Sequence, residues 1–138
     1  MYPEMLVAPM REELTQVGFK QLLTSEEVEN EMNQTQGTAL LVVNSVCGCA
    51  AGTCRPGVRL AIKNSSKKPG KLLTVFAGME KDAVNKSREF LLPYPPSSPA
   101  IALFKDGELV HMIERHNIEG RSAEMIADNL TAAFEQYC

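Results

Sequence analysis

The run Thr38-Ala39-Leu40-Leu41-Val42-Val43-Asn44 constrains the fold more than any other segment. It is apolar and β-rich, and it shows no polar alternation. That pattern predicts a short strand covered on both faces, the situation of a central strand in a helix-flanked sheet. Lys71-Leu72-Leu73-Thr74-Val75-Phe76-Ala77 repeats it. Between the two, a helix-compatible stretch runs to about Asn64, with a break or kink expected at Pro56, because proline has no N–H for a helix interior. A further helix is predicted from Glu80 to Phe90, after Gly78. Strand, helix, strand, helix implies parallel strands joined by crossovers.

The segment Pro93-Tyr94-Pro95-Pro96-Ser97-Ser98-Pro99 is too short to link domains and reads as an internal loop. After it, Ala100–Lys105 and Glu108–Ile113 flank Asp106-Gly107, two residues that tolerate positive φ, which predicts an antiparallel hairpin. Ser122 caps a closing helix with Met125, Ile126, Ala127, Leu130, Ala133 and Phe134 on one face. Ahead of the first strand, Met10 to Val17 reads as a short helix. Thr24-Ser25-Glu26-Glu27 opens another with a hydroxyl cap and first-turn acids, fading near Gln36-Gly37. At 138 residues the expectation is one α/β domain, a helical extension over 1–37 on a core over 38–138. Its central mixed sheet ends in the antiparallel hairpin and is flanked by helices.

Composition narrows the function. Hydrophobic residues make up 44% and charged ones 22%, enough apolar surface for a core. A net charge of -3 lacks the positive excess that phosphate backbones or anionic lipids select, so neither nucleic acid nor membrane is expected as a partner. No stretch approaches the roughly 18 apolar residues of a membrane span. Met1-Tyr2-Pro3-Glu4-Met5 shows neither a basic n-region nor an apolar h-region, and a cytoplasmic location is expected.

The cysteines carry the chemistry. Cys47 and Cys49 are separated by Gly48 alone, so a bridge between them staples no long loop; reactive thiols in a reducing compartment are the better reading. They sit where the first strand turns into a helix, and the unpaired N–H groups of a helix start stabilise a thiolate. Cys47, with the N–H groups of Gly48, Cys49 and Ala50 behind it, is expected to have a depressed pKa and an open sulfur. Cys49, one step into the helix, should be less accessible. Gly48 offers backbone freedom in a tight passage where a Cβ could clash, and lets a partner approach Cys47. A Cys47–Cys49 bridge would need a geometry that unstrained disulfides seldom adopt, so an oxidised pair should be readily reduced.

Other readings stay open. The pair could be inert small apolar side chains, or Cys47, Cys49 and Cys54 could be thiolate ligands, although structural zinc needs four ligands and no nearby His completes the set. Cys54 reads as buried filler. Cys138 reads as an exposed thiol, with an intermolecular or resolving role as its alternative. His111 and His116 suit a surface or strand edge. Arg55 and Arg59 suit a solvated helix face, or attraction of a carboxylate-bearing thiol.

The element order, with thiols at the first strand-to-helix turn and a proline opening the hairpin, resembles the three-layer thioredoxin fold over nearly all of 38–138. Pro99-Ala100-Ile101-Ala102-Leu103-Phe104-Lys105-Asp106-Gly107 is similar in register to the thioredoxin segment between its cis-proline and its hairpin turn. More narrowly, Val43-Asn44-Ser45-Val46-Cys47-Gly48-Cys49-Ala50-Ala51-Gly52, with Arg55-Pro56 and Phe104-Lys105-Asp106-Gly107, resembles the bacilliredoxin family. The chain departs from thioredoxin in its one-residue spacing, in having no acid among Leu40, Leu41, Val42 and Val43, and in Val46 where thioredoxin has Trp.

The resemblance implies that Pro99 is cis and lies beside the thiols, and that Ser98 and Pro99 touch substrate. It implies a thiol-disulfide oxidoreductase that removes bacillithiol from S-thiolated cytosolic proteins, with Cys47 as nucleophile and Cys49 as its partner. Bacillithiol, a low-molecular-weight thiol, would be the co-substrate, with no tightly bound cofactor and no metal. A protein disulfide isomerase and a non-enzymatic metal-thiolate module are the alternatives.

Overall fold

The structure, a computed structural model, describes residues 1–34 and 36–138. The chain forms α1 (Glu4–Thr15), β1 (Lys20–Gln21), α2 (Ser25–Met32), β2 (Thr38–Asn44), a π-helical turn (Ala50–Cys54), α3 (Arg55–Asn64), β3 (Lys71–Phe76), α4 (Lys81–Phe90), β4 (Ala100–Lys105), β5 (Glu108–Ile113), α5 (Arg115–Ile118) and α6 (Ala123–Tyr137). The sheet order is β1-β3-β2-β4-β5. The apolar strand β2 is central, as its sequence requires. It pairs in parallel with β3 from Ala39↔Lys71 to Asn44↔Phe76, and antiparallel with β4 from Thr38↔Lys105 to Val43↔Ala100.

Successive β2 side chains serve opposite layers. Leu40 and Val42 enter a core with Leu14 of α1, Val58 and Ala61 of α3, and Leu130 and Phe134 of α6. Leu41 and Val43 enter a second core with Val28 and Met32 of α2 and Ala83 and Val84 of α4. Each fully buried Leu or Val contributes about 1.5–3 kcal/mol relative to exposure, so this strand helps to hold both helical layers to the sheet. Asp106 (φ 51) and Gly107 (φ 85) make the hairpin turn, as their residue types predict. Thr24 accepts from the Glu27 N–H and caps α2, and Ser122 accepts from the Met125 N–H and caps α6.

Several expectations are corrected. Helix α1 starts at Glu4, not Met10, and runs through Pro9. The ring leaves the Met5 carbonyl without its helical donor, but Met5 is 91% exposed, so water can serve that carbonyl. Helix α2 stops at Met32, before Gln36-Gly37. No break occurs at Pro56. Helical backbone begins at Gly48, passes through the π turn and continues into α3. The Arg55 N–H donates to the Ala50 carbonyl five residues back, so the helix is widened just where the proline ring would crowd it. Met125 is 51% exposed and off the core face of α6, which buries Ile126, Ala127, Leu130, Ala133 and Phe134. Strand β1 and helix α5 have no sequence signal. The pairs Lys20↔Leu73 and Gln21↔Thr74 exist only because β3 offers an edge.

Among the described residues, no helix is long and apolar enough to cross a membrane.

Candidate active site

Strand β2 ends at Asn44, and the turn that follows is held by side chains. Asn44 Oδ1 accepts from the Ser45 N–H (2.8 Å) and from Arg55 Nη1 (3.0 Å), while its Nδ2 donates to the Met10 carbonyl (3.1 Å). Arg55 Nη1 also donates to the Ser45 carbonyl (2.7 Å), and Ser45 Oγ accepts from the Cys47 N–H (3.0 Å). The Cys47 carbonyl then accepts from Ala50 (2.9 Å) and Ala51 (3.1 Å), which starts the helix. The turn is thereby tied to α1, β2 and α3, and Cys47 stands at the helix entrance.

Arg55 is the residue that sequence reasoning placed worst. It is 1% exposed instead of lying on a solvated face, because the turn needs a buried donor for Asn44 Oδ1 and the Ser45 carbonyl. Its Nε lies 3.1 Å from Glu13 Oε2, a charge contact without hydrogen-bond alignment. Arg59 reaches the Glu13 carbonyl at 2.6 Å, on α1. Neither arginine lines the groove at the thiols.

The two sulfurs meet at 2.6 Å, and the Cys49 N–H points at Cys47 Sγ from 3.4 Å. The Cys49 thiol, donating to the Cys47 sulfur, is the largest influence holding Cys47 below the ordinary thiol range. Burial opposes it, while the N–H groups of Cys49 and Ala50 and the charge of Arg115 add to it. Cys49 is pushed up, first by burial, then by the proton it holds toward Cys47 and by repulsion from a Cys47 thiolate. Both residues are half-buried, and burial ranks first among the influences on Cys49 but second for Cys47, so the contrast between them lies chiefly in proton affinity.

Gly48 is exposed, and a Cβ there would meet nothing within 4 Å; the expected clash in a tight passage does not exist within the chain. The Ser98–Pro99 peptide is cis. Ser98, Val46 and Cys47 line an open groove of about 390 Å³ whose remaining wall includes Gly78, Tyr2 and Arg115; Pro99 is buried behind it. Tyr2 and Arg115 were not foreseen, because they reach Cys47 only through the tertiary fold. Gly78 carried a faint signal as the glycine between β3 and α4. Its φ is +89, and a Cβ there would lie 2.7 Å from the Tyr2 ring.

The remaining candidates stand apart. Cys54 is fully buried among Ala50, Val58 and Ala61, and burial pushes its thiol up to about 12. Cys138 is exposed. His111 Nε2 pairs with Asn129 Oδ1 at 2.7 Å on the β5 edge, and His116 is exposed. Among the described residues no group of three or more His, Cys, Asp or Glu is placed to hold a metal ion, so Cys47, Cys49 and Cys54 do not form a ligand set.

Comparison with known proteins bears on what such a pair does. The family described as disulphide isomerase matches residues 2–138. A bacilliredoxin of Cytophaga hutchinsonii is 62% identical over 136 residues, covering 99% of each chain. One from Geobacillus kaustophilus is 53% identical over 137 residues, covering 99% of this chain and 94% of the relative. Among solved structures, the oxidized mitochondrial thioredoxin 3 of Saccharomyces cerevisiae superposes with a TM-score of 0.57 at 15% identity, over 90% of this chain and 98% of that one. The thioredoxin of Fasciola hepatica gives 0.54 at 15% identity, over 87% and 100%.

Proposed function

This chain belongs to the bacilliredoxin family, has a thioredoxin fold and is a thiol-disulfide oxidoreductase, and from that premise we propose that it strips bacillithiol from S-thiolated cytosolic proteins through Cys47. The observation that carries this reading is the hydrogen-bonded thiol pair at a helix entrance, one sulfur favoured as thiolate and facing an open groove.

The Cys47 thiolate attacks the bacillithiol sulfur of the mixed disulfide. The Cys47–sulfur bond forms, the bond to the client sulfur breaks, and the client leaves as a thiolate that takes a proton from solvent. Cys49, once deprotonated, attacks Cys47 Sγ and expels bacillithiol as thiolate, leaving a Cys47–Cys49 disulfide. A second bacillithiol can perform the same displacement. Gly48 leaves the approach to Cys47 unobstructed, and Ser98 lines the same groove as the attacking sulfur, where it would meet the substrate; Pro99 is buried and does not line that groove. Bacillithiol is a co-substrate, and no bound cofactor or metal takes part.

The test is transfer from a bacillithiolated client protein, followed by intact mass. The client should lose the thiol and the enzyme should gain it on Cys47 or end as the Cys47–Cys49 disulfide, with the adduct retained in Cys49→Ala, and Cys47→Ser should abolish both. Transfer that persists in Cys47→Ser overturns the assignment. The family description favours one second reading, rearrangement of protein disulfides. Refolding of a scrambled substrate at full rate without any small thiol would support that reading instead.

A further inference from the structure

The sequence offered Arg55 and Arg59 as cations for a carboxylate-bearing thiol, and the fold withdraws both by tying them to α1 and the turn. The groove keeps one cation. Among the described residues, Arg115, the first residue of α5, is its sole lysine or arginine, and no carboxylate lines the groove. We propose that Arg115 is the anion-recognising residue of this site, binding a carboxylate of the low-molecular-weight thiol while that thiol's sulfur reacts at Cys47. This rests on the thiol-transfer reading above and adds to it the charge class of the co-substrate.

Three features of Arg115 carry the inference. The side chain is 44% exposed, so a solute can reach it. Its protein contacts are long: Nη1 donates to the Ser98 carbonyl at 3.3 Å, and Nε lies 3.5 Å from Glu119 Oε1. They orient the guanidinium across the groove beside Ser98 without saturating it, and Nη2 has no partner among the described residues. An arginine presenting free donors in a fixed fork matches a carboxylate. Tuning of the nucleophile does not account for it, since Arg115 is the last of the influences on Cys47, well behind the Cys49 thiol. Cysteine and many small thiols built from it carry a carboxylate, and a groove of about 390 Å³ takes a ligand of that size.

Two small symmetrical disulfides test this on the reduced, full-length protein: bis(2-carboxyethyl) disulfide, an anion, and bis(2-hydroxyethyl) disulfide, its neutral counterpart. With each, the Cys47 thiolate forms a new S–S bond and the other half leaves as thiolate; loss of reduced Cys47, whether to the adduct or to the Cys47–Cys49 disulfide, is followed by mass. Both reagents meet the same thiolate, so their rate ratio is insensitive to any change in Cys47 ionisation. Arg115→Gln should lower the anion-to-neutral ratio about tenfold at low salt, and Arg115→Lys should retain part of it. A ratio unchanged in Arg115→Gln overturns the inference. So does a loss seen only with a thiolated peptide carrying Glu beside its cysteine, which would place the carboxylate on the client. Failure of both reagents to modify Cys47 in the wild type would strike the thiol-transfer reading itself, a distinguishable result.

Discussion

Replacing Arg55 by methionine removes a buried guanidinium and leaves a side chain that fills much of its channel. Two hydrogen bonds from a charged donor disappear, to Asn44 Oδ1 at 3.0 Å and to the Ser45 carbonyl at 2.7 Å. Bonds to charged groups are worth about 1.5–3 kcal/mol each, and the Ser45 carbonyl is left without a partner. Opposing this, the substitution relieves the desolvation of a buried cation. Glu13, 37% exposed, can rehydrate instead of being stranded as a buried charge. The net expectation is a loss of about 2–3 kcal/mol, below the 3–5 kcal/mol typical of breaking a fully buried pair. For a domain of this size, that lowers the melting temperature by roughly 10 °C while leaving the chain folded at 25 °C. Urea and thermal unfolding monitored by circular dichroism measure it, with Arg55→Lys as the intermediate case. A loss below about 0.5 kcal/mol would mean that these bonds do no more than offset the desolvation of the cation, and would refute a net anchoring role for Arg55.

Cys49→Ala removes the donor that contributes most to lowering Cys47, so the pH profile of Cys47 alkylation should move to higher pH; an unmoved profile would assign the activation to backbone amides alone. Cys54 should resist iodoacetamide in the folded protein. Its thiol ionises near 9.0 when unfolded and at about 12 when folded, so the native state binds more protons in that window. Stability therefore falls as pH rises from about 9 toward 12, by up to about 1.4 kcal/mol per pH unit. Urea midpoints of wild type and Cys54→Ala compared across that range would show it, and parallel curves would contradict it. Gly57→Ala places a Cβ 2.8 Å from Ile126 Cβ, where α3 meets α6, and should cost about 1–3 kcal/mol. Neutrality there would mean that the two helices part freely.

The elements that could be read from sequence are those whose identity is settled within a few residues. The doubly buried run of β2, the Asp106-Gly107 turn and the Thr24 and Ser122 caps each express a local rule, and the structure has them at the expected positions. Two of the failures involve partners distant in the chain. Lys20-Gln21 is a strand because β3 has an open edge, and Arg55 is buried because the turn after β2 lacks donors of its own. The π turn shows the limit within a single helix. One inserted residue rotates everything after it, so a wheel drawn from Cys49 misplaces Arg55, and nothing between Ala50 and Cys54 announces the insertion except the proline that follows. The site was half legible. The thiols are marked by residue type and Ser98 by the family resemblance, but Tyr2 and Arg115 are brought to the groove only by folding.

Two chemically identical thiols separated by one residue are shifted in opposite directions: their contact leads in lowering Cys47, and burial leads in raising Cys49. A thiol-to-thiol hydrogen bond stabilises one thiolate at the expense of the other. The Cys49 and Ala50 N–H groups favour charge on Cys47, and Cys49 is further held neutral by burial. The pair therefore ionises in two steps, the first proton leaving chiefly from Cys47 and the second held against an adjacent negative charge. Once Cys47 enters a mixed disulfide, its sulfur carries no charge. The bond and the repulsion that raised Cys49 are then lost, while burial stays. Cys49 becomes more acidic when resolution calls for its thiolate, and no carboxylate from Leu40, Leu41, Val42 or Val43 has to receive the proton. The same logic predicts that in Cys47→Ala, which removes both influences without an adduct, Cys49 alkylation has its midpoint at lower pH than the second ionisation of the reduced wild-type pair. A midpoint equal to or above the wild-type value would show that burial alone sets Cys49, and that resolution needs an external base.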